Sequence, residues 1–182
     1  MEMRKAFDGY FDKLWRFTEK RYGTNPSVTY TENLNKALLI SAPDEDDEVE
    51  WHPIEQSEDI GWDAVEESLS IKVAEELKAY LGTYYFLTLS GIYDNAFLNF
   101  YPIDGALPVG DQVCRAYNDA RIVFPSSETF LIGNAVIDDD DSYFIFYDNA
   151  ANSVFCYDAE LDKRVDVRGS LSDIIGGMEA RD

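Results

Sequence analysis

The sequence predicts an α+β fold, because an amphipathic helix is followed directly by an aromatic strand and then by further β-prone segments. Apolar residues recur every four positions from Val65 to Leu81, between mostly charged residues, which predicts one long helix with a single buried face. Gly82 is expected to end this helix, since glycine takes the left-handed conformation without a Cβ penalty. The aromatic run 84–89 predicts a central strand. This order of elements is typical of an α+β domain.

The length and composition predict one domain over residues 1–182, since 182 residues lie within the usual range of single domains. Apolar residues make up 46% of the chain and aromatic residues 14%, enough for a substantial core and unlike a disordered acidic chain. The sequence shows no repeat of fixed period and no interdomain linker. We therefore expect one mainly antiparallel sheet, packed by a long helix in the N-terminal half and by short flanking helices.

The segments before the long helix are predicted to alternate between packed and solvated. Residues 7–22 predict a first helix with a wide apolar face, and Gly23 is placed to cap it. Residues 34–40 are either a short strand or an extended connection. The acidic run 44–48 is too charged to pack and is expected to be a solvated loop or hairpin tip. Trp51 then returns the chain to the core.

The second half of the chain is predicted to consist mostly of short strands. A turn at 91–95 precedes a strand that carries Phe97, and 112–119 is a short helical or irregular passage. Residues 130–137 predict a strand in which Gly133 marks a bulge. The remaining predicted elements are a turn at 138–141, strands at 143–147 and 153–157, and a helix at 171–175 begun by Ser170 and ended by Gly176 and Gly177.

The net charge of the chain is strongly negative: it has 15 Lys and Arg residues and 36 Asp and Glu residues, which gives −21. Such a field repels the phosphates of nucleic acids and of membrane surfaces and attracts basic proteins. Solubility alone is the alternative interpretation of this charge. We predict a basic protein partner, no nucleic acid partner and no direct membrane insertion.

The chain is expected to be cytoplasmic. No apolar run approaches the ~20 residues of a membrane-spanning helix, and the first residues mix charged and aromatic side chains, unlike a signal peptide. Cys114 and Cys156 lie far apart in sequence, with neither the spacing of a zinc site nor the pattern of a disulfide framework.

Catalytic signatures are scarce in the sequence. His52 is the one histidine, so any nucleophile–histidine arrangement would have to use it. The acids at 138–141 lack the spacing and the distal Glu of an EF-hand loop, and adjacent carboxylates on a strand point to opposite faces. We predict a protein with no catalytic residue, no metal site and no cofactor. A hydrolase that uses His52 is the weaker alternative.

Several passages of the chain share residue types with one known family. They are the N-terminal helix with Trp15, the passage from Leu39 to Pro53, the helix start at 63–66, the helix-to-strand passage 79–91, and the late passages 129–133 and 170–175. In type and order these elements resemble the Syd branch of the SUKH superfamily along nearly the whole chain. The acidic runs 44–48 and 138–141 depart from Syd and fit a surface tuned to one basic target.

The resemblance implies a non-enzymatic α+β domain that works by binding another protein. Syd associates with the SecY translocon through an acidic concave face that meets basic cytosolic loops. Many relatives in the superfamily are immunity proteins, encoded beside a secreted polymorphic toxin, which block the toxin by covering its active site.

Two hypotheses follow from the charge and the resemblance. In the first, the protein is an immunity protein that binds a basic, nucleic-acid-acting toxin domain. In the second, it is an adaptor that binds the basic cytosolic loops of SecY, peripherally at the inner membrane. Both hypotheses predict that acids from three segments bind the partner. These acids are Asp44, Glu45, Asp46, Asp47, Glu48, Glu66, Glu67, Glu75, Glu76, Asp138, Asp139, Asp140 and Asp141.

Overall fold

The computed structural model describes residues 2–181 and has the predicted α+β architecture with a mainly antiparallel sheet. The helices of this part of the chain are α1 (Glu2–Tyr22), α2 (Trp62–Leu69), α3 (Glu75–Thr83), α4 (Val109–Val123) and α5 (Leu171–Gly177), with a 3-10 turn at Lys36–Leu38. The strands are β1 (Ser27–Thr29), β2 (Glu48–Glu50), β3 (Ile54–Glu55), β4 (Tyr84–Tyr85), β5 (Leu89–Tyr93), β6 (Ala96–Phe100), β7 (Thr129–Ile137), β8 (Asp140–Asp148), β9 (Ser153–Asp158), β10 (Lys163–Val167) and β11 (Glu179–Ala180).

Within residues 2–181, seven strands form the main sheet in the order β10-β9-β8-β7-β6-β5-β11, and neighbouring strands are antiparallel. β7 holds the middle position, so the prediction of a central strand at 84–89 is wrong. Tyr84–Tyr85 pairs with β3 in a separate two-stranded sheet, and Leu89 begins β5 beside the edge strand β11. The aromatic rings of this segment pack against α1 instead, with 5.6 Å between the ring centroids of Phe7 and Phe86.

The long helix predicted from Val65 to Leu81 is two helices, α2 and α3, so the prediction of one helix is wrong. Ser70 leaves the helical conformation at φ 58°, and its N–H donates to the carbonyls at the end of α2. The Glu66 carboxylate accepts a hydrogen bond from the N–H of Val73 at 3.1 Å, which satisfies a backbone donor inside the connection. Val65 and Val73 are both buried, so the apolar period continues across the break.

Two helix boundaries also differ from the prediction. Gly82 lies inside α3, which ends one residue later at Thr83 and continues directly into β4. The passage predicted at 112–119 is the middle of α4, a helix of 15 residues. α4 is longer because Val109 and Ala120, beyond both predicted ends, are buried in the two hydrophobic clusters of the fold.

Two glycines within strands mark a close approach of neighbouring backbones. A Cβ at Gly91 would lie 2.3 Å from the carbonyl oxygen of Glu179 in β11. Gly91 lies within β5, so the turn predicted at 91–95 is shorter than expected. It consists of Asp94 and Asn95, which have φ of 48° and 67°. The bulge predicted at Gly133 is confirmed, because the register of β7 against β8 shifts there. A Cβ at Gly133 would lie 2.4 Å from the carbonyl oxygen of Asn99.

Other predicted elements are confirmed. The first helix begins earlier than predicted, at Glu2, and ends at Tyr22, after which Gly23 has φ 73° and donates its N–H to the carbonyl of Glu19 at 2.9 Å. Trp51 is fully buried and lies 6.0 Å from Trp15, centroid to centroid. Ser170 caps α5 through a capping box. The strands predicted at 143–147 and 153–157 are β8 and β9.

In the part of the chain that the structure describes, the main sheet separates two hydrophobic clusters. The larger cluster draws buried side chains from all five helices and from one face of the sheet. The smaller cluster lies on the opposite face, where Ala120 of α4 packs with Phe146 and Phe155, and Phe124 stands 5.1 Å from Phe146 between ring centroids. β10 lies at one edge of the sheet and was not predicted. Its first two residues, Lys163 and Arg164, are both charged, so the strand lacks a clear alternation of apolar and polar residues.

Candidate protein-binding surface

The first acidic segment, Asp44 to Glu48, is an exposed turn that leads into β2. The Asp44 side chain accepts hydrogen bonds from the N–H groups of Asp46 and Glu48, both at 2.9 Å, and Asp47 has φ 60°. Asp44, Glu45, Asp46 and Asp47 are exposed, and Glu48 is partly buried where β2 pairs with β1. The prediction of a solvated segment is confirmed.

Glu66 is buried rather than on the outer face of a helix, so the predicted position of its side chain is wrong. Its carboxylate forms ion pairs with Lys72 at 2.5 Å and with Lys78 at 2.7 Å, and the side chain is 4% exposed. The hydrogen bonds from Lys72 and Lys78 lower the pKa of Glu66 to about 2, because they favour the ionised form. Glu66 therefore holds the connection between α2 and α3.

The other acids of these two helices are only partly available to a partner. Glu75 is exposed and pairs with Lys78 at 3.0 Å. Glu76 is partly buried and accepts hydrogen bonds from the N–H and the hydroxyl of Ser172, both at 3.1 Å, which ties α3 to α5. Glu67 is exposed at the end of α2.

Asp138 and Asp139 form the turn between β7 and β8, so the turn predicted at 138–141 is two residues long, and Asp140 and Asp141 begin β8. Asp138 and Asp139 are exposed and have φ of 53° and 66°, the left-handed conformation of a two-residue hairpin turn. Asp140 accepts a hydrogen bond from the N–H of Ser142 at 3.0 Å, and the two hydrogen bonds it receives from Ser142 lower the pKa of its carboxyl. Asp141 is exposed on β8.

The predicted acids do not form one continuous surface. Asn149 follows the C-terminal end of β8 and accepts a hydrogen bond from the N–H of Ala74 at 2.7 Å. Ala74 immediately precedes α3, so the start of α3 lies beside the C-terminal end of β8. Asp138 and Asp139 precede the other end of the same strand. Nine residues at about 3.3 Å each put the two ends roughly 30 Å apart.

The fold instead gathers other acids around Asp138 to Asp141. In an antiparallel meander, alternate turns lie at the same end of the sheet, and the registers Phe97–Val136 and Phe144–Tyr157 place the β5–β6, β7–β8 and β9–β10 turns there. We call the acids of these three turns, together with the two acids that begin β8, the acidic rim. They are Asp94, Asp138, Asp139, Asp140, Asp141, Glu160 and Asp162.

The acidic rim is wide and includes a cation at one end. Adjacent turns are two strands apart, or about 10 Å, so the rim spans about 20 Å. Lys163 stands beside it, 5.5 Å from the ring centroid of Tyr143, and Asp162 accepts a hydrogen bond from Tyr157 at 2.7 Å. Interaction with Tyr143, followed by the charges of Asp138 and Asp140, raises the pKa of Lys163. The rim remains net negative.

His52 and Cys156 are not members of the acidic rim. The N–H of His52 donates to the carbonyl of Leu38 at 2.9 Å, and within residues 2–181 its ring Nδ1 is buried without a hydrogen-bond partner. Burial raises the pKa of the Cys156 thiol to about 12, which opposes the thiolate form that a nucleophile needs. Among residues 2–181, no group of three or more His, Cys, Asp or Glu side chains is arranged to hold a metal ion.

Across residues 2–181, no helix combines the length and the apolar character needed to cross a membrane.

The fold and this surface define an acidic α+β domain with charged hairpin turns at one end of its sheet. The chain belongs to the Syd protein (SUKH-2) family, whose family model matches residues 4–100, more than half of its length. Membership implies a protein-binding role and a protein partner. The match runs from α1 to the end of β6, so it contains the 44–48 turn and Asp94 but not the rest of the acidic rim. No curated protein matches the chain.

Proposed function

We propose that this chain is an immunity protein that neutralises a nucleic-acid-acting bacterial toxin by covering the basic active-site surface of the toxin. A toxin domain that acts on nucleic acid needs a groove of Lys and Arg side chains. An acidic protein surface occupies such a groove in place of the phosphates. The proposed action is binding alone, without catalysis by the immunity protein.

The observation that carries the proposal is the acidic rim. Paired strands hold the backbone of its residues at fixed separations, so little backbone entropy is lost when a partner binds. The exposed acids Asp44 to Asp47, Glu67 and Glu75 lie outside the rim and add to the attraction at longer range. Glu66 is omitted from the proposed steering residues because it is buried and paired.

Electrostatic attraction of this kind acts mainly on the rate of association. Charge complementarity raises association rates by roughly 10- to 1000-fold at low ionic strength. The turns of the rim are about 10 Å apart, while the Debye length is about 8 Å at physiological salt. We therefore expect the turns to act as one field at low salt and more independently as the salt concentration rises.

The test is recovery of the partner followed by inhibition of its activity. Tagged protein is incubated at low salt with a lysate of the native host, and bound proteins are eluted with a salt gradient and identified by mass spectrometry. A basic toxin domain that elutes with salt, and whose nuclease or deaminase activity falls on titration with equimolar protein, supports the proposal. A recovered toxin domain that retains full activity at saturating protein contradicts it.

The second candidate is an adaptor that binds the basic cytosolic loops of SecY, and the match to the Syd family model favours it. The same tagged protein is incubated with detergent-solubilised membranes of the host. Salt-dependent recovery of SecY, together with no inhibition of any toxin encoded beside the gene, would support the adaptor. Failure to bind purified SecY at low salt would exclude it.

A further inference from the structure

The face of the main sheet opposite the large core is only partly covered. Ala120 of α4 and Phe124, the residue after that helix, cover Phe146 and Phe155 on this face. Next to them the face carries four apolar residues on four successive strands and two amides between them, which we call the open face. Its members are Ile92, Phe97, Asn99, Asn134, Val136 and Phe144.

The strand registers make these side chains neighbours. Ile92 is opposite Phe97, and Phe97 is opposite Val136, which forms one apolar row across β5, β6 and β7. In the next row, Asn99 is opposite Asn134 and Asn134 is opposite Phe144. The two amides are hydrogen-bonded to each other at 3.3 Å. The open face is thus an apolar surface with one polar pair near its middle.

The four apolar side chains of the open face are not part of either hydrophobic cluster of residues 2–181. Ile92 is 41% exposed and Phe144 is 43% exposed, while Phe97 and Val136 are partly buried. A contiguous exposed apolar group bordered by polar residues is typical of a protein-interaction site. Single exposed apolar residues are ordinary, but a row on adjacent strands is not.

The open face borders the acidic rim. Ile92 lies two residues before Asp94, and Val136 lies two residues before Asp138. In both pairs the apolar residue is therefore about 7 Å, measured along the backbone, from an acid of the rim. A ligand on the open face therefore meets apolar side chains and, at one end, a line of negative charge. This combination fits a segment that presents apolar side chains on one side and Lys or Arg beside them.

We propose that the open face is where the partner docks, and that its occupant is a cationic amphipathic segment of a basic protein. The inference rests on the proposed function and specifies its contact: apolar side chains anchor on Phe97 and Phe144, and cations lie along the acidic rim. A few desolvated aromatic anchors within a charged border are typical of tight protein interfaces.

Charge argues against the other occupants of such a face. A second copy of this chain carries the same charge of −21 and would bring one acidic rim toward another. An anionic lipid surface is repelled for the same reason. A basic protein segment satisfies both the apolar row and the rim.

The experiment measures binding of two synthetic probes to the full chain by fluorescence anisotropy at low salt. One probe is a short Leu/Lys peptide designed as an amphipathic helix, and the other is an oligolysine of equal charge. The open-face variant is Ile92→Thr with Phe144→Thr, since both positions are exposed and threonine retains β propensity. The rim variant is Asp138→Asn with Asp139→Asn. Thermal unfolding establishes that each variant is folded.

The matched control is Asp46→Asn with Asp47→Asn, which removes the same charge from an exposed turn that also contains a left-handed residue. We expect the open-face variant to bind the Leu/Lys probe about tenfold more weakly than the wild type, because the substitutions remove apolar contact area alone. Its affinity for the oligolysine should be unchanged. The rim variant should bind both probes about threefold more weakly than the wild type. The control variant should lose less affinity than this for either probe.

Two results would overturn the inference, and they differ in what they say about the proposed function. Salt-dependent binding of both probes with the open-face variant equal to the wild type would place the docking site elsewhere and leave the proposed function intact. No binding of either probe at low salt would contradict the proposed attraction to basic partners, and the docking site with it.

Discussion

The acids beside α2 and α3 and the acids of the hairpin turns carry the same charge but make different contacts. Glu66 is buried between Lys72 and Lys78 and accepts a hydrogen bond from a backbone N–H. Asp138 and Asp139, by contrast, are exposed at the tip of a hairpin. Glu66 stabilises the connection between α2 and α3, whereas Asp138 and Asp139 are available to a partner.

This difference teaches that an acidic sequence segment is not the same as an acidic surface. A carboxylate beside a helix break can satisfy backbone donors and lysines of its own chain, as Glu66 does. The carboxylates of Asp138 and Asp139, at the tip of a two-residue turn, are exposed to solvent instead. The location in the fold decides which of the two roles an acid takes.

The largest expected effect on stability is on the helix side, from Asn149→Ala. The Asn149 side chain accepts from the N–H of Ala74 and donates to the carbonyl of Lys72, both at 2.7 Å. Its removal leaves two backbone groups without their partner, so we expect the free energy of unfolding to fall by about 2 kcal/mol, measured by urea denaturation. Asn95→Gly is the control at a hairpin turn, at φ 67°, and should change it by less than about 0.5 kcal/mol. Equal losses would contradict the comparison.

The second prediction concerns the pH dependence of Glu66→Gln. The pKa of Glu66 is about 2 in the folded chain, below its ordinary value of 4.5, so the ionised carboxylate stabilises the fold above pH 4.5. That stabilisation is lost as the pH falls from 4.5 to about 2. We expect the variant to melt several degrees below the wild type at neutral pH and the gap to close in acid. Glu67→Gln, at an exposed neighbour, should show no such gap.

The third prediction concerns the association rate with a basic partner. Asp138→Asn with Asp139→Asn should slow association about threefold at low salt, because two charges are removed from the acidic rim. Stopped-flow mixing over a range of salt concentrations measures the rate, and the difference should vanish at high salt. A similar slowing by Glu75→Gln alone would mean that the helix side steers the partner as strongly as the rim.

The smallest expected effect is that of the same rim variant on stability. Asparagine tolerates the left-handed conformation of both positions, and neutralising them relieves repulsion between adjacent carboxylates. We expect the free energy of unfolding to rise or stay equal, within about 0.5 kcal/mol, in urea denaturation. A clear loss of stability would show that these carboxylates, like Glu66, are structural.

Much of the fold was predictable where the determining interactions are local. The first helix, the capped helix at Ser170 and the bulge at Gly133 all follow from residues within one or two turns of the position concerned. The burial of Trp51 followed from its place after a charged loop. These features depend little on how the rest of the chain folds.

The errors lie where distant residues decide the structure. The break between α2 and α3 depends on the Glu66 carboxylate reaching Val73 and Lys78, which apolar periodicity does not report. β10 was missed because Lys163 and Arg164 outweigh the alternation of Val165 and Val167, which face the core. The strand predicted as central is aromatic because it packs against α1.

The candidate site was half predictable for a related reason. Asp138 to Asp141 stand out in the sequence as four consecutive acids. Asp94, Glu160 and Asp162 do not, and they join the acidic rim only through the order of the strands. The open face likewise depends on register, since Ile92 and Phe144 are far apart in sequence.

The left-handed turns have a consequence for how such a surface evolves. Asp94, Asn95, Asp138 and Asp139 all have positive φ, a conformation that aspartate, asparagine and glycine enter at little cost. Exchange of aspartate for either of the others removes one charge and leaves the hairpin in place. A lineage can therefore adjust the charge of this surface one step at a time, following a changing partner, while the sheet beneath it stays constant.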